Sequence, residues 1–395
     1  MNEIRRARLA VTVIFAVHGA GLGAFATRIP WIQDRLELGP AALGAALVAP
    51  AISACFAMPM AGRVMRRLGS RRALLVMTVA LSLTVVLPVM APSLPLLWVA
   101  LLTYGAAGGI TDVAMNANGV GVEQRAGRSI MSGLHGAWSA GGLIGSGLGA
   151  LAAAAALDAR LHLGLMAVLL ILVAALSCRH LLDVGAGGGS AVAARGGFAW
   201  PARAVVAIGL VGFCAQFAQG AAGNWSAIYL EDIAGASPGI AAASFTAFSF
   251  TMGAARVCGD LVVRRWGPVR TVRGCGIVSV AGGVLIVIGR DPVPVIAGFA
   301  LLGVGIAVIV PLAFATAGRR GEDPNTSIAS VATVTYLSNL IAPAAVGAIA
   351  GITSLPVAFI LITVLGGCVA AGASAFRAPV AARPQALTSR EGKSG

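Results

Sequence analysis

The sequence predicts an all-α membrane protein, a bundle of twelve transmembrane helices in two six-helix halves. Three observations predict it. The 395 residues are 58% hydrophobic and 11% charged, with a mean hydropathy of +0.90, outside the usage of soluble domains. Apolar runs near or above the roughly 20 residues that a bilayer core requires recur along the whole length. The arginines gather in alternate loops. A spanning segment must satisfy its own backbone hydrogen bonds, and these runs are too long and too uniformly apolar for barrel strands, so they are helices.

The first run, 9–27, follows Arg5, Arg6 and Arg8 and stops before Arg28. The second, 41–62, opens after Pro40 and closes at Arg63, and the third, 73–91, begins just past Arg71 and Arg72. The fourth spans 95–118, the fifth 131–156 after Arg125 and Arg128, and the sixth 161–182 after Arg160. The seventh, 204–230, follows Arg203, and the eighth, 238–262, ends before Arg264 and Arg265. The ninth is 273–289, the tenth 293–316, the eleventh 327–350 and the twelfth 355–376, before Arg377. The N-terminus resembles a secretory signal, with basic residues ahead of an apolar core, but eleven further spans argue for a retained first helix.

The net charge of +14 and the pI near 11 would suggest nucleic acid in a soluble protein, so the placement of the basic residues decides. Counted loop by loop, 23 of the 28 Lys and Arg fall on the side of both termini, four on the other, and only Arg256 lies within a span. The positive-inside rule then puts both termini in the cytoplasm, with the basic loops facing anionic headgroups rather than nucleic acid. The excess of arginine over a single lysine points to a GC-rich bacterium, hence a bacterial cytoplasmic (inner) membrane. The six cysteines have no partner at ligand spacing and read as small packing residues.

Shifting the sequence by 198 positions pairs Asp34 with Asp232, Pro40 with Pro238, Arg66 with Arg264, Arg67 with Arg265, Gly69 with Gly267 and Arg72 with Arg270. The same offset pairs Ser132 with Ser330, Trp138 with Tyr336 and Gly149 with Gly347. Copies with equal span parity share orientation, related by an axis along the membrane normal. This divides the chain into an N-terminal half (1–182), a Gly-rich cytoplasmic linker (183–203), a C-terminal half (204–376) and a polar, disordered tail (377–395).

Asp112 is the one charged residue in its span. Ionised at the bilayer centre it costs roughly 2.5–3.5 kcal/mol, relieved by a partner, a wet cavity or a proton. In a central cavity it would load and release protons as a coupling site; the alternative is a structural Asp satisfied by a neighbouring helix. Asn116, one turn on, shares its face and is a candidate for substrate contact, whereas Asn118 points elsewhere. His135 and Trp138 share a face and could meet substrate together, or merely pack, since Gly141, Gly142, Gly145 and Gly149 follow them. Gln219, Asn224 and Trp225 combine neutral hydrogen-bonding groups with one aromatic surface, as a sugar site does, with interfacial anchoring an equal account of Trp225. Tyr336 and Asn339 are a further substrate-contact pair, unless they serve backbone groups freed by Pro343. Arg28 ends the first helix at the outer surface or gates there. Arg256 and Asp260, four apart, read as a self-contained ion pair, and His18 as a packing residue.

The loop after the second span, "GRVMRRLGSRR" (62–72), resembles the signature Gly-x-x-x-Asp-Arg-x-Gly-x-Arg-Arg of the major facilitator superfamily. Arg66 stands where that family has Asp, a residue implied to pair across the cytoplasmic ends of the helices and hold the outward-facing state. The resemblance makes Arg66, Arg67, Arg71 and Arg72 gating residues, with Arg66 unable to play the Asp part unaided. "DVAMNANGVGVEQRAGRSIMSGLHGAWSAGGLIG" and "QGAAGNWSAIYLED" look like the YbjJ-type branch, related to fucose permease. Fucose permease carries a carboxylate followed by Asn in its fourth span, which Asp112 and Asn116 resemble. The branch has Glu and Asp where this chain has Gln219 and Asn224.

The histidines 18, 135, 162 and 180 show no metal spacing, and no Walker-type loop exists, so neither an enzyme nor an ATP-driven pump is expected, and no cofactor. The expectation is a monomeric secondary transporter, a proton symporter for a small polar metabolite such as a sugar, with export of drug-like or amphipathic compounds as the alternative. A channel would instead pass ohmic current, and a receptor would bind without flux.

Overall fold

A computed structural model describes residues 3–127, 130–183, 203–317 and 324–377; the side chains of Asp260 and Tyr336 lie outside the described residues. Among the described residues, twelve helices are long and apolar enough to cross a membrane: Glu3–Arg35, Pro40–Leu68, Ser70–Met90, Leu94–Ala126, Gly133–Ala154, Ala159–Cys178, Val205–Asp232, Pro238–Gly259, Leu261–Ile288, Pro292–Ala317, Thr333–Ile352 and Leu355–Phe376. They correspond one to one with the twelve apolar runs.

The differences lie at the ends, where polarity does not stop a helix. The fourth span runs on past 118 through Glu123 and Arg125 and stops at Gly127, left-handed at φ 64 and ψ 20, whose N–H reaches the Glu123 carbonyl. The first breaks after Ala26 and resumes over Ile29–Arg35, with Pro30 in its opening turn. The second is built from Pro40–Ala46, Ala49–Ala57, a 3₁₀ turn Met58–Met60 and Ala61–Leu68, because Pro50 and Pro59 each lack a backbone donor. The eighth and ninth follow one another over Pro238–Ile288 and are separated by a kink at Gly267, where the backbone is not helical.

The 198-residue offset reappears in the backbone. Gly69 sits at φ 76 and ψ 152, Gly267 at φ 76 and ψ 163. A φ near +76 suits glycine alone, which accounts for its presence at both positions. Gly39 before Pro40 has φ −64 and ψ 156, and Ser237 before Pro238 has φ −63 and ψ 155. The turn ahead of each holds a left-handed residue, Glu37 at φ 50 and Gly235 at φ 62.

Twelve successive crossings bring Glu3 and Phe376 to one face of the bundle, here the terminal face; the other is the distal face. Within the N-terminal half, the first and fifth spans approach so closely that a Cβ on Gly141 or Gly145 would collide with the carbonyl oxygen of Ala16 or Ala20. The halves meet near the distal face. There the second span crosses the eleventh, where a Cβ on Gly44 would lie 2.6 Å from the Pro343 carbonyl oxygen and 2.8 Å from Gly347 Cα. The symmetry-related crossing joins the fifth and eighth spans: a Cβ on Gly239 would lie 2.7 Å from Ala154 Cα, and Thr246 Oγ1 donates to Ser146 Oγ at 3.2 Å. Toward the terminal face the same helices diverge, and Gly133, Gly136 and Gly253 have open space where a side chain would be. The seam between the halves is closed at the distal end and open at the terminal end.

Candidate functional site

Asp112 sits half-buried on the fourth span, 18 residues past the helix start at Leu94, about 27 Å along the axis. Its charge acts on the imidazoles of His18, from the first span, and His135, from the fifth. His135 also feels the guanidinium of Arg256, from the eighth span across the seam. Asp112 is thus turned toward the first and fifth spans, inside its own half-bundle. Asn116 Nδ2 donates to the Asp112 backbone oxygen at 2.8 Å and, more weakly, to Oδ1 at 3.4 Å, so the shared face read from their spacing is real. Asn118 turns away as expected, fully buried and donating to Ser70 Oγ (3.0 Å) and the Leu182 carbonyl (3.2 Å).

His135 and Trp138 do not act as one surface. His135 is exposed, with its ring edge-on to Phe15 at 5.4 Å. Trp138 Nε1 donates to His18 Nδ1 at 2.9 Å. Indole N–H is only a donor, so this bond requires an unprotonated Nδ1 on His18. His18, read from sequence as a packing residue, is thus held between an indole and the zone of influence of Asp112. Gly141 and Gly145 seat the fifth helix against the first, which is what brings Trp138 within reach of His18.

The C-terminal half supplies neutral amides and one cation. Gln216 Nε2 donates to Asn339 Oδ1 at 3.1 Å, joining the seventh and eleventh spans. Arg256 donates to the Ala307 carbonyl at 3.1 Å and to Gln219 Oε1 at 3.3 Å. These contacts carry the guanidinium to helices on either side; the pair expected with Asp260 lies outside the described residues, because the Asp260 side chain does. Asn224 spends its Nδ2 on the Gly220 carbonyl at 2.9 Å and keeps its oxygen.

Some expected residues lie elsewhere. Trp225 is wholly buried, its ring 3.1 Å from where a Cβ on Gly44 or Gly347 would be, so in this state it packs under the distal crossing and offers no surface to the gap. Arg28 is also buried and donates through Nε to His162 Nδ1 at 3.0 Å, inside its own half. Arg66, Arg67, Arg71 and Arg72 are exposed at the terminal face. The Tyr336 side chain lies outside the described residues. Two site members were undervalued in the sequence. Arg256 carried a signal, as the sole basic residue within a span, whereas Gln216 carried only its repeat position opposite His18.

The family model described as Major Facilitator Superfamily matches residues 11–197 and 208–394. An MFS-type transporter of Yersinia pestis is 33% identical over 378 residues, covering 93% of this chain and 95% of that one. Among solved structures, the nucleoside transporter NupG superposes with a TM-score of 0.73 at 13% identity, covering 95% of this chain and 98% of its own. A D-xylose-proton symporter does so at 0.70 and 14%, covering 96% and 98%. The match takes in both halves, so the likeness is to the whole duplicated fold, and the chain belongs to the Major Facilitator Superfamily of membrane transporters.

Proposed function

We propose that this transporter couples the movement of a small polar metabolite, a sugar or a sugar-bearing compound, to protons by alternating access across the bacterial inner membrane. The observation that carries the reading is the position of Asp112: a lone carboxylate midway along a span, acting on histidines from two further helices, one of which, His135, also feels Arg256 across the gap between the halves. A proton relieves the cost of an ionised acid when the gap dries on closing. In the other half, Gln219, Asn224 and Asn339 supply hydrogen-bonding groups without charge, and Arg256 one cation, a lining suited to hydroxyls and ring oxygens. Substrate contact falls to these residues with Asn116, His135 and Trp138; Trp225 and Tyr336 would join them in other states. The arginine excess makes the terminal face cytoplasmic, so this state is open inward. Arg66 and Arg67 would engage the opposing half when that face closes, Arg71 and Arg72 would brace the same loop against the first and sixth helices, and Arg28 ties the outer end of its own half through His162.

The resemblance to the YbjJ-type branch related to fucose permease favours a sugar, and so does the shared fold with a D-xylose-proton symporter. Alternating access needs no second copy, and the working unit is a monomer. The test is a proteoliposome screen of sugars and nucleosides under an imposed pH gradient, comparing the parent with Asp112→Asn. The parent accumulates one of these compounds; the variant loses accumulation and keeps exchange. Undiminished accumulation by Asp112→Asn removes the coupling role. Outward pumping of lipophilic compounds, with no response to any sugar or nucleoside, replaces this reading with export.

A further inference from the structure

We infer that the terminal-face ends of the first, third and sixth helices form a binding site for the phosphate of an anionic phospholipid. A cavity of about 750 Å³ opens there, away from the seam, with Arg71, Arg72 and Arg179 in its lining. A second cavity of about 230 Å³ beside it shares Arg71 and Arg179 and adds Arg6. The two carboxylates present do not neutralise this group. Asp183, which accepts from the Ser70 N–H at 2.8 Å, and Glu3 are two charges against the four guanidiniums of Arg6, Arg71, Arg72 and Arg179, which leaves the group cationic. Among the described residues Arg71 and Arg72 make no hydrogen bond or ion pair. Convergent guanidiniums hold phosphate oxygens through paired N–H donors.

The surroundings select a lipid over free phosphate. On the sixth helix Leu165, Leu169, Leu172 and Leu176 are 58, 47, 56 and 57% exposed, and their spacing puts them on one stripe of the helix. The stripe ends three residues before Arg179. An acyl chain laid along it brings its headgroup to the arginines, as in basic pockets at the cytoplasmic ends of transmembrane helices. The cluster is denser in the N-terminal half: 198 positions on, Arg270 and Arg377 repeat Arg72 and Arg179, but Val269 and Ala204 stand in place of Arg71 and Arg6. A lipid held here ties the loop between the second and third helices to the end of the sixth.

The test is thermal unfolding of the full chain in nanodiscs of phosphatidylcholine with increasing phosphatidylglycerol. The parent's midpoint rises as phosphatidylglycerol is added. The Arg71→Gln/Arg179→Gln double variant loses that rise, and Arg179→Gln alone, at an exposed position, loses part of it. An equal removal of charge from the other half, Arg264→Gln/Arg270→Gln, keeps it. Inorganic phosphate added to pure phosphatidylcholine discs leaves the midpoint unmoved. A rise of the same size in the double variant overturns the proposal, as does its loss in the Arg264/Arg270 control, which would mark general surface charge. A rise on adding inorganic phosphate overturns the lipid assignment in favour of a free-phosphate site.

Discussion

The two halves share a backbone and diverge in how each ties its first helix to its fifth. His18 and Gln216 are 198 positions apart. In the N-terminal half His18 accepts from Trp138; in the C-terminal half Gln216 donates to Asn339. One bond contains an imidazole, a group able to take up a proton, and the other is built from amides that are not. The same contrast holds for the polar groups of the two halves, Asp112, His18 and His135 in one and Gln219, Asn224 and Arg256 in the other, with Arg256 near enough to His135 to act on it across the seam. Duplication supplied two equal scaffolds, and the proposed function divides the labour between them: proton chemistry on one side, ligand recognition on the other.

The division breaks most readily at its two charges. Asp112→Asn should lower pH-driven accumulation roughly hundredfold, the scale of losing a positioned proton carrier, with exchange intact. Arg256→Gln should leave coupling in place and raise the half-saturating substrate concentration roughly tenfold or more, the loss of a charged hydrogen bond. Flux against an imposed pH gradient, measured across substrate concentration, reads both; the opposite pattern would swap the roles of the halves.

The packing that seats Trp138 comes next in size. Gly145→Ala drives a methyl into the Ala20 carbonyl and should destabilise the protein by about 1–3 kcal/mol, as overpacking does. Gly136→Ala, on the same helix with nothing within 4 Å, should instead add up to about 1 kcal/mol through helix propensity. Opposite shifts of the unfolding midpoint in detergent check this pair.

His18→Gln places in the N-terminal half the residue that the C-terminal half already has. The glutamine oxygen can accept from Trp138, so the fold persists. In the parent, protonated imidazole is a donor at both nitrogens, and acidification should detach Trp138 and shift its emission. In His18→Gln the shift should vanish, as it should in Trp138→Phe. An acid-induced shift surviving in His18→Gln would place the titrating group elsewhere. The smallest effect belongs to Glu37, left-handed where its counterpart is Gly235. Glu37→Gly should stabilise by about 1 kcal/mol by removing that strain, seen as a small rise in the unfolding midpoint.

Most of the fold was legible because hydropathy and loop charge respond to the bilayer, which acts on each span separately. Where the bilayer ends, that signal ends too: the fourth helix continues through Gln124 and Arg125 to a glycine stop, and only the positive φ of Gly267 parts the eighth helix from the ninth. The site was legible in proportion to how far its chemistry departs from lipid. Asp112 and Asn116 stood out, and their shared helix fixed their relation. Arg256 stood out too, but spacing along one helix suggested Asp260, while the contacts to Gln219 and Ala307 depend on neighbours that no spacing describes. Trp225 carried the same signal as a substrate-stacking aromatic; only the crossing of the second and eleventh helices sends it under their glycines.

That crossing has a mechanical consequence. Side chains meshed like gear teeth would hold two rods in register and make each change of angle a discrete jump. Gly44 against Gly347 presents bare backbone on both sides, so the rods can roll over one another with little to climb. The indole of Trp225 sits beneath as the cushion, and a swing that opens the opposite vestibule would first be felt there.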